Sequence, residues 1–193
     1  MRPSKREAVL DTAEHLFYNE GFHATGIDRL ASEAGVVRMT LYNHFGSKDA
    51  LIEAVLERRY ARFLDDLRDA VAHCGPEGGI AALAERHCSW LRERSTHGCI
   101  VIKAIGEFES HNPAIAALGR QLKRRLLALI GEAVEHDTGM HDTDMSEQIL
   151  MILEGANALV PVFGSDHAIR HVHALIAHIP PAKTWWTLEH TCG

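Results

Sequence analysis

The run ASEAGVVRMTLYNHFGSK, from Ala31 to Lys48, decides the fold. It predicts two short helices joined by a tight turn, with a third and longer helix starting directly afterwards. Gly35 closes the first short helix and Gly46 the second. Leu41 and Phe45 stand four apart, which puts them on one helical face. Arg38, Thr40, Tyr42, Asn43 and His44 are left on the other faces. A short helix that buries an apolar edge and turns these residues outward has the make-up of a DNA recognition helix. Arg and Asn pair bidentately with base edges, and Thr, Tyr and His suit phosphates.

Helix signals continue on both sides of this run, and strand signals are nearly absent. Ser4-Lys5-Arg6-Glu7 is a capping box, in which the Ser hydroxyl and the Glu carboxylate satisfy orphan amides at a helix start. Val9, Leu10, Ala13, Leu16 and Phe17 follow at helical spacing, and Gly21 ends that helix. Thr25 is placed to cap the next one. Ser47 caps a long helix reaching to about residue 73, with Gly75-Pro76 as its stop. Further helices follow around Leu83–Leu91, Cys99–Phe108 and, after the Asn112-Pro113 start, Ile115–Val134. After a polar loop, Asp144 to Glu147 opens the eighth helix, which Pro161 should kink or end. The ninth starts at Asp166 and stops at Pro180-Pro181. Trp185 and Trp186 make the tail too apolar for a purely solvated end. The expectation is all-α, with about nine helices. Residues 1–46 form a three-helix helix-turn-helix module. Residues 47–193 form a helical ligand-binding and dimerisation body, joined to the module by the helix from 47 to about 73.

The chain has 193 residues, 46% of them hydrophobic, enough for a real core and too apolar for disorder. No apolar run reaches membrane-spanning length and the N-terminus is polar, so no membrane role and a cytoplasmic location are expected. The four cysteines, Cys74, Cys88, Cys99 and Cys192, form no CxxC pair and read as reduced thiols. Net charge is −6. The first 48 residues carry six basic and six acidic side chains, so the remainder holds all of the negative charge. The basic footprint is therefore local: Arg2, Lys5 and Arg6 as an N-terminal arm, and Arg38 and Lys48 flanking the recognition helix.

The first fifty residues closely resemble the TetR family of bacterial transcriptional regulators. Ala13, Leu16, Phe17, Gly21, Phe22, Thr25, Ile27, Leu30, Ala31, Ala34-Gly35-Val36, Thr40-Leu41-Tyr42, His44-Phe45, Ser47-Lys48 and Leu51 carry the resemblance. It implies that Thr25 and Gly26 start the second helix near phosphate. It puts Arg38, Met39 and Thr40 at the base-reading end of the third, with Tyr42, Asn43 and His44 on phosphate or base edges and Lys48 on a phosphate beyond. Two positions depart from the pattern. Val37 stands where a capping Ser is usual, and a lost N-cap costs about 1 kcal/mol. Met39 stands where Gly is frequent, and its side chain suits a thymine methyl. The resemblance further implies a homodimer formed through the last two main helices, a double-stranded operator that is nearly palindromic, and a small-molecule effector that releases the protein from it. The resemblance thus implies a repressor.

Within the body, the resemblance implies an effector pocket. Its candidate lining residues are Phe63, His87, Trp90, Ile102, Lys103, Phe108, Leu122, Leu126, Ile152 and Leu159. Lys103 interrupts the apolar run Ile100 to Ile105, so a buried ammonium would need either an anionic ligand or Glu107, one turn on. Among the 14 histidines, His167, His171 and His178 fall near one face of the ninth helix, a spacing that suits zinc, although no Cys or acidic cluster completes a set. Cys88 and Cys99 lie near the expected pocket, as inert core or as a thiol sensor. No metal or cofactor is assigned. A metal- or redox-responsive regulator is the alternative within the class. An all-helical binding protein or enzyme with a merely structural N-terminal module is the alternative outside it. The sequence has no nucleophile elbow, phosphate loop or HExxH motif, which argues against an enzyme.

Overall fold

A computed structural model describes residues 4–75 and 78–179. Among them are nine α-helices and no strand: α1 (Lys5–Glu20), α2 (Ile27–Glu33), α3 (Arg38–Phe45), α4 (Lys48–Ala72), α5 (Gly79–Arg94), α6 (Ile100–Phe108), α7 (Pro113–Thr138), α8 (Thr143–Phe163) and α9 (Ser165–Ile176). None is long and apolar enough to cross a membrane. The residues group into two compact units. One comprises Met1–Arg62 with Ile100–Lys123, the other Phe63–Cys99 with Arg124–Gly193. The division runs through α4 and α7. Each of these helices therefore contributes one stretch to either unit.

In the first unit the core is the set that the spacing selected. Val9, Leu10, Ala13, Leu16 and Phe17 of α1 are buried with Leu30 of α2, Leu41 of α3 and Leu51, Ile52, Val55 and Leu56 of α4. Ser4 caps α1 by accepting from the Glu7 amide at 3.2 Å. The Glu7 carboxylate turns to Arg58 at 3.0 Å instead of back to Ser4. Glu14, buried in α1, binds Arg59 at 2.9 Å, Arg58 at 3.1 Å and also Arg62, which ties α1 to α4. Burial alone would push its carboxyl up. The hydrogen bond from Arg59, the charges of Arg62 and Arg59, and the hydrogen bond from Arg58 outweigh this and hold it below the ordinary value. α6 buries Ile100, Val101, Ala104 and Phe108, one face at helical spacing. Gly119 lets α7 approach it closely, because an added Cβ would meet Ile105 Cγ1 at 2.6 Å.

The second unit is built around Leu67, Leu83, Leu91, Leu126, Ile130, Val134, Ile149, Leu153, Ile169 and Val172, all buried. Asp137 near the end of α7 accepts from the amides of Gly79 and Ile80 at 2.7 and 2.9 Å and so caps α5.

Several boundaries differ from the sequence expectation. Thr25 does not cap α2: its hydroxyl donates back to the Gly21 carbonyl at 2.8 Å, and Gly26 takes the cap position with no side-chain bond. Pro161 does not end α8, which runs on to Phe163, because a proline so near the C-terminus removes only one late bond. Asp142 caps α8, accepting from the Met145 amide at 3.0 Å. α9 begins at Ser165 and ends at Ile176, short of Ile179. Trp185, Trp186 and Cys192 lie outside the described residues.

Candidate nucleic-acid interface

α2 and α3 are joined by a turn that only a small set of residues permits. Gly35 has φ +65°, in the left-handed region that a side chain disfavours. Around it, the Gly35 amide donates to Ser32 O at 3.1 Å and the Val36 amide to Ala31 O at 3.0 Å. This satisfies the last carbonyls of α2 and aims α3. Val37 is the N-cap of α3 and offers no side-chain bond, as the departure from the family pattern implies. Leu41 is fully buried and anchors α3 to the core. Phe45 is half-buried, with the Arg6 guanidinium over its ring at 5.3 Å.

The outward face of α3 holds the expected residues side by side. Arg38, Met39, Asn43 and His44 are exposed, and Thr40 and Tyr42 are half-buried. Val37, the N-cap, and Met39 in the first turn are 68% and 65% exposed, so two neighbouring large apolar side chains face solvent at the start of α3. Arg38 is not free in solvent. It pairs with Asp28 of α2 at 3.2 Å and donates to the Tyr42 hydroxyl at 3.4 Å, with its guanidinium 5.6 Å from the Tyr42 ring centre. These contacts hold the cation over the helix face and raise its pKa, first through the Tyr42 hydrogen bond and then through the Asp28 charge. Lys48 is half-buried; burial lowers its pKa, against the opposing charges of Asp49 and Glu107. Gly26 is exposed just ahead of α2. Thr25 is different. It is completely buried, with its hydroxyl spent on Gly21, so it orders the turn before α2 and does not offer an oxygen to phosphate.

One junction in this unit has no local signature among its residues. The His23 amide and its Nδ1 both meet Glu107 Oε1, at 2.9 and 2.6 Å. The His23 ring stacks on Phe108 at 4.9 Å, and Phe22 meets the same ring at 5.5 Å. The loop after α1 is thereby fastened to the end of α6 across 84 residues of chain.

The candidate pocket residues divide between the two units. Ile102, Lys103, Phe108 and Leu122 belong to the first, and Phe63, His87, Trp90, Leu126, Ile152 and Leu159 to the second. In the second, the Phe63 ring lies 5.2 Å from Trp90 and 5.7 Å from His87, and His87 Nε2 meets the Asn157 amide at 3.2 Å. Leu122 and Leu126 are core. Lys103 is not the buried ammonium that its apolar neighbours suggest. It is exposed, with Nζ 5.1 Å from the Tyr18 ring centre, and Glu107 is engaged by His23. Ile102 is exposed beside it, because the buried face of α6 runs through 100, 101, 104 and 108. Leu159 is exposed and Ile152 half-buried. Both line a groove of about 570 Å³ between α8 and α9, together with Met151, Phe163, His167, His171 and Leu175. Burial pushes the Cys88 thiol up to about 11, so at neutral pH on the order of one molecule in ten thousand carries the thiolate there.

The comparisons with known proteins agree with this geometry. The family model of bacterial regulatory proteins of the tetR family matches residues 9–55, the span of α1 to α3 and the start of α4. The transcriptional activator FasR of Mycolicibacterium smegmatis is 39% identical over 70 residues, which cover 36% of this chain but only 32% of that longer protein. The transcriptional repressor NemR of Escherichia coli is 27% identical over 188 residues, 89% of this chain and 94% of that one. The crystal structure of a TetR-family regulator from Streptomyces coelicolor superposes with a TM-score of 0.80 at 26% identity, covering 90% of this chain and 94% of the other. With residues 9–55 matching the family model, nine helices among the described residues and these relatives, the chain belongs to the TetR family of bacterial transcriptional regulators, which are DNA-binding proteins and not enzymes.

Proposed function

We propose that the chain is a homodimeric repressor that binds a near-palindromic operator through α3 and is released by a small-molecule effector. It acts in the cytoplasm. The observation that carries this reading is the outward face of α3, where Arg38, Met39, Thr40, Tyr42, Asn43 and His44 stand together over a buried Leu41. Arg38 and Asn43 are the base-reading pair, and Met39 takes a thymine methyl. Tyr42, His44 and Lys48, with the backbone at Gly26, hold phosphates. Asp28 holds Arg38 until DNA replaces it.

Dimerisation rests on α8 and α9. Met151, Leu159, Val162, Phe163 and Leu175 are large apolar side chains left exposed on these two helices. A second copy pairing isologously on this groove covers them, and regulators of this family typically dimerise. Two recognition helices then reach successive major grooves, about 34–36 Å apart. The effector acts only through a difference in its affinity for the DNA-binding and released forms. Phe63, His87 and Trp90 are the aromatic cluster best suited to an apolar effector in the body.

The test is operator binding by Arg38→Ala and Tyr42→Ala variants that remain folded. Both are expected to lose sequence-specific binding while keeping the helical signal of the parent. If both bind every DNA as the parent does, the chain does not use α3 for recognition.

A further inference from the structure

We propose that His167 and His171 form a chelating site for a divalent transition-metal ion of the zinc, nickel or copper class. The two residues stand one helical turn apart on α9 and turn their rings toward each other, with centres 4.7 Å apart. Their Nε2 atoms are 3.1 Å apart. Two nitrogens each about 2.0–2.1 Å from one zinc ion stand about 3.3–3.4 Å apart at the tetrahedral angle, and about 2.8–3.0 Å apart at a right angle. The observed separation lies between these values, so an ion enters with shifts of a few tenths of an ångström. The donor set is imidazole nitrogen, which favours zinc, nickel and copper over magnesium and calcium.

The surroundings orient the pair. The Phe163 ring lies 5.2 Å from the His167 ring, on the lip of the α8–α9 groove that both histidines line. In the single chain His171 is exposed and His167 half-buried, so an ion reaches the pair from solvent before a second copy covers the groove. Two contacts oppose binding: the 3.1 Å approach of the two Nε2 atoms is itself a hydrogen bond whose proton the ion must displace, and Arg170 reinforces it. Arg170 donates to His167 Nδ1 at 3.1 Å, which favours the tautomer with its proton on Nε2. A bound ion needs the Nε2 lone pair, so the proton moves to Nδ1 and the guanidinium swings away. Among the described residues, no group of three or more metal-ligating side chains is present. The described residues therefore leave the remaining positions to water or to the same pair on a second copy.

The experiment is calorimetric titration of the full chain with zinc chloride, repeated with nickel chloride and without DNA, so its outcome is independent of operator binding. The parent is expected to bind the ion, and His167→Ala and His171→Ala each to lose it, because a chelate needs both nitrogens. Alanine at these helix positions leaves the fold intact, checked by circular dichroism. His178→Ala serves as the control and keeps the ion. Arg170→Ala is expected to bind more tightly. One ion per chain identifies a site completed by water, and one per two chains a site shared with a second copy; either supports the proposal. It is overturned if excess zinc and nickel give no binding to the parent, or if the His167→Ala/His171→Ala double variant binds as the parent does.

Discussion

The outward faces of α3 and of the α8–α9 pair are both solvent-exposed, and they differ in kind. α3 presents a mixed set in which apolar Val37 and Met39 flank Arg38, Asn43 and His44. The α8–α9 face presents Met151, Leu159, Val162, Phe163 and Leu175, with His167 and His171 lining the same groove. A mixed face suits a surface of base edges, methyl groups and phosphates. A nearly pure apolar face suits a copy of itself. In the proposed dimer the difference separates two jobs that DNA recognition needs together: reading half a site, and fixing the distance to the other half.

The largest effect should come from spoiling the apolar face. A Leu159→Asp/Phe163→Asp double variant changes two side chains that are exposed within the single chain, so folding survives. Light scattering is expected to show a monomer in place of a dimer. Operator binding should fall about a thousandfold as the second half-site is lost. A variant that stays dimeric moves the interface elsewhere.

Next is the platform beneath α3. Glu14→Gln leaves three guanidinium groups facing a neutral amide and should cost about 3 kcal/mol in urea unfolding. Its pH dependence has a definite sign. Because the folded-state carboxyl titrates below its ordinary value of 4.5, its contribution is fully present above that pH and is lost as pH falls through the lowered value. The parent should therefore lose stability below about pH 4.5 more steeply than the Gln variant.

Smaller effects belong to α3 itself. Arg38→Ala should weaken operator binding about tenfold to a hundredfold and relax preference at one base pair, read by competition with single-base operator variants. Equal weakening on all sequences would make Arg38 a phosphate contact. Smallest is Val37→Ser, which restores a side-chain cap to α3 and should stabilise the protein by about 1 kcal/mol on thermal or urea unfolding.

The two faces also differ in how far they were legible. α3 is a local structure: Leu41 and Phe45 at helical spacing and the flanking Gly35 and Gly46 sufficed to orient Arg38, Asn43 and His44 outward. Thr25 was misread because a Thr ahead of an apolar periodic run has the pattern of an N-cap, whereas its hydroxyl bonds backward to Gly21. Lys103 was misread because apolar neighbours on both sides suggested burial. The helix buries one face only, and Ile102 and Lys103 lie off it. The His23–Glu107 contact joins residues 84 apart and leaves no local pattern to find. The groove between α8 and α9 likewise needed the mutual placement of two helices, although their surplus of apolar side chains was visible beforehand.

The central claim is that α3 reads a two-fold symmetric DNA site. Selection from a random double-stranded DNA pool with the purified protein, at fixed near-physiological salt, tests it most directly. The expected result is enrichment of a near-palindrome with half-site centres one helical turn apart, or a multiple of it, and no enrichment of that site by the Arg38→Ala variant. A parent that enriches nothing, or a variant that enriches the same site equally well, would contradict it.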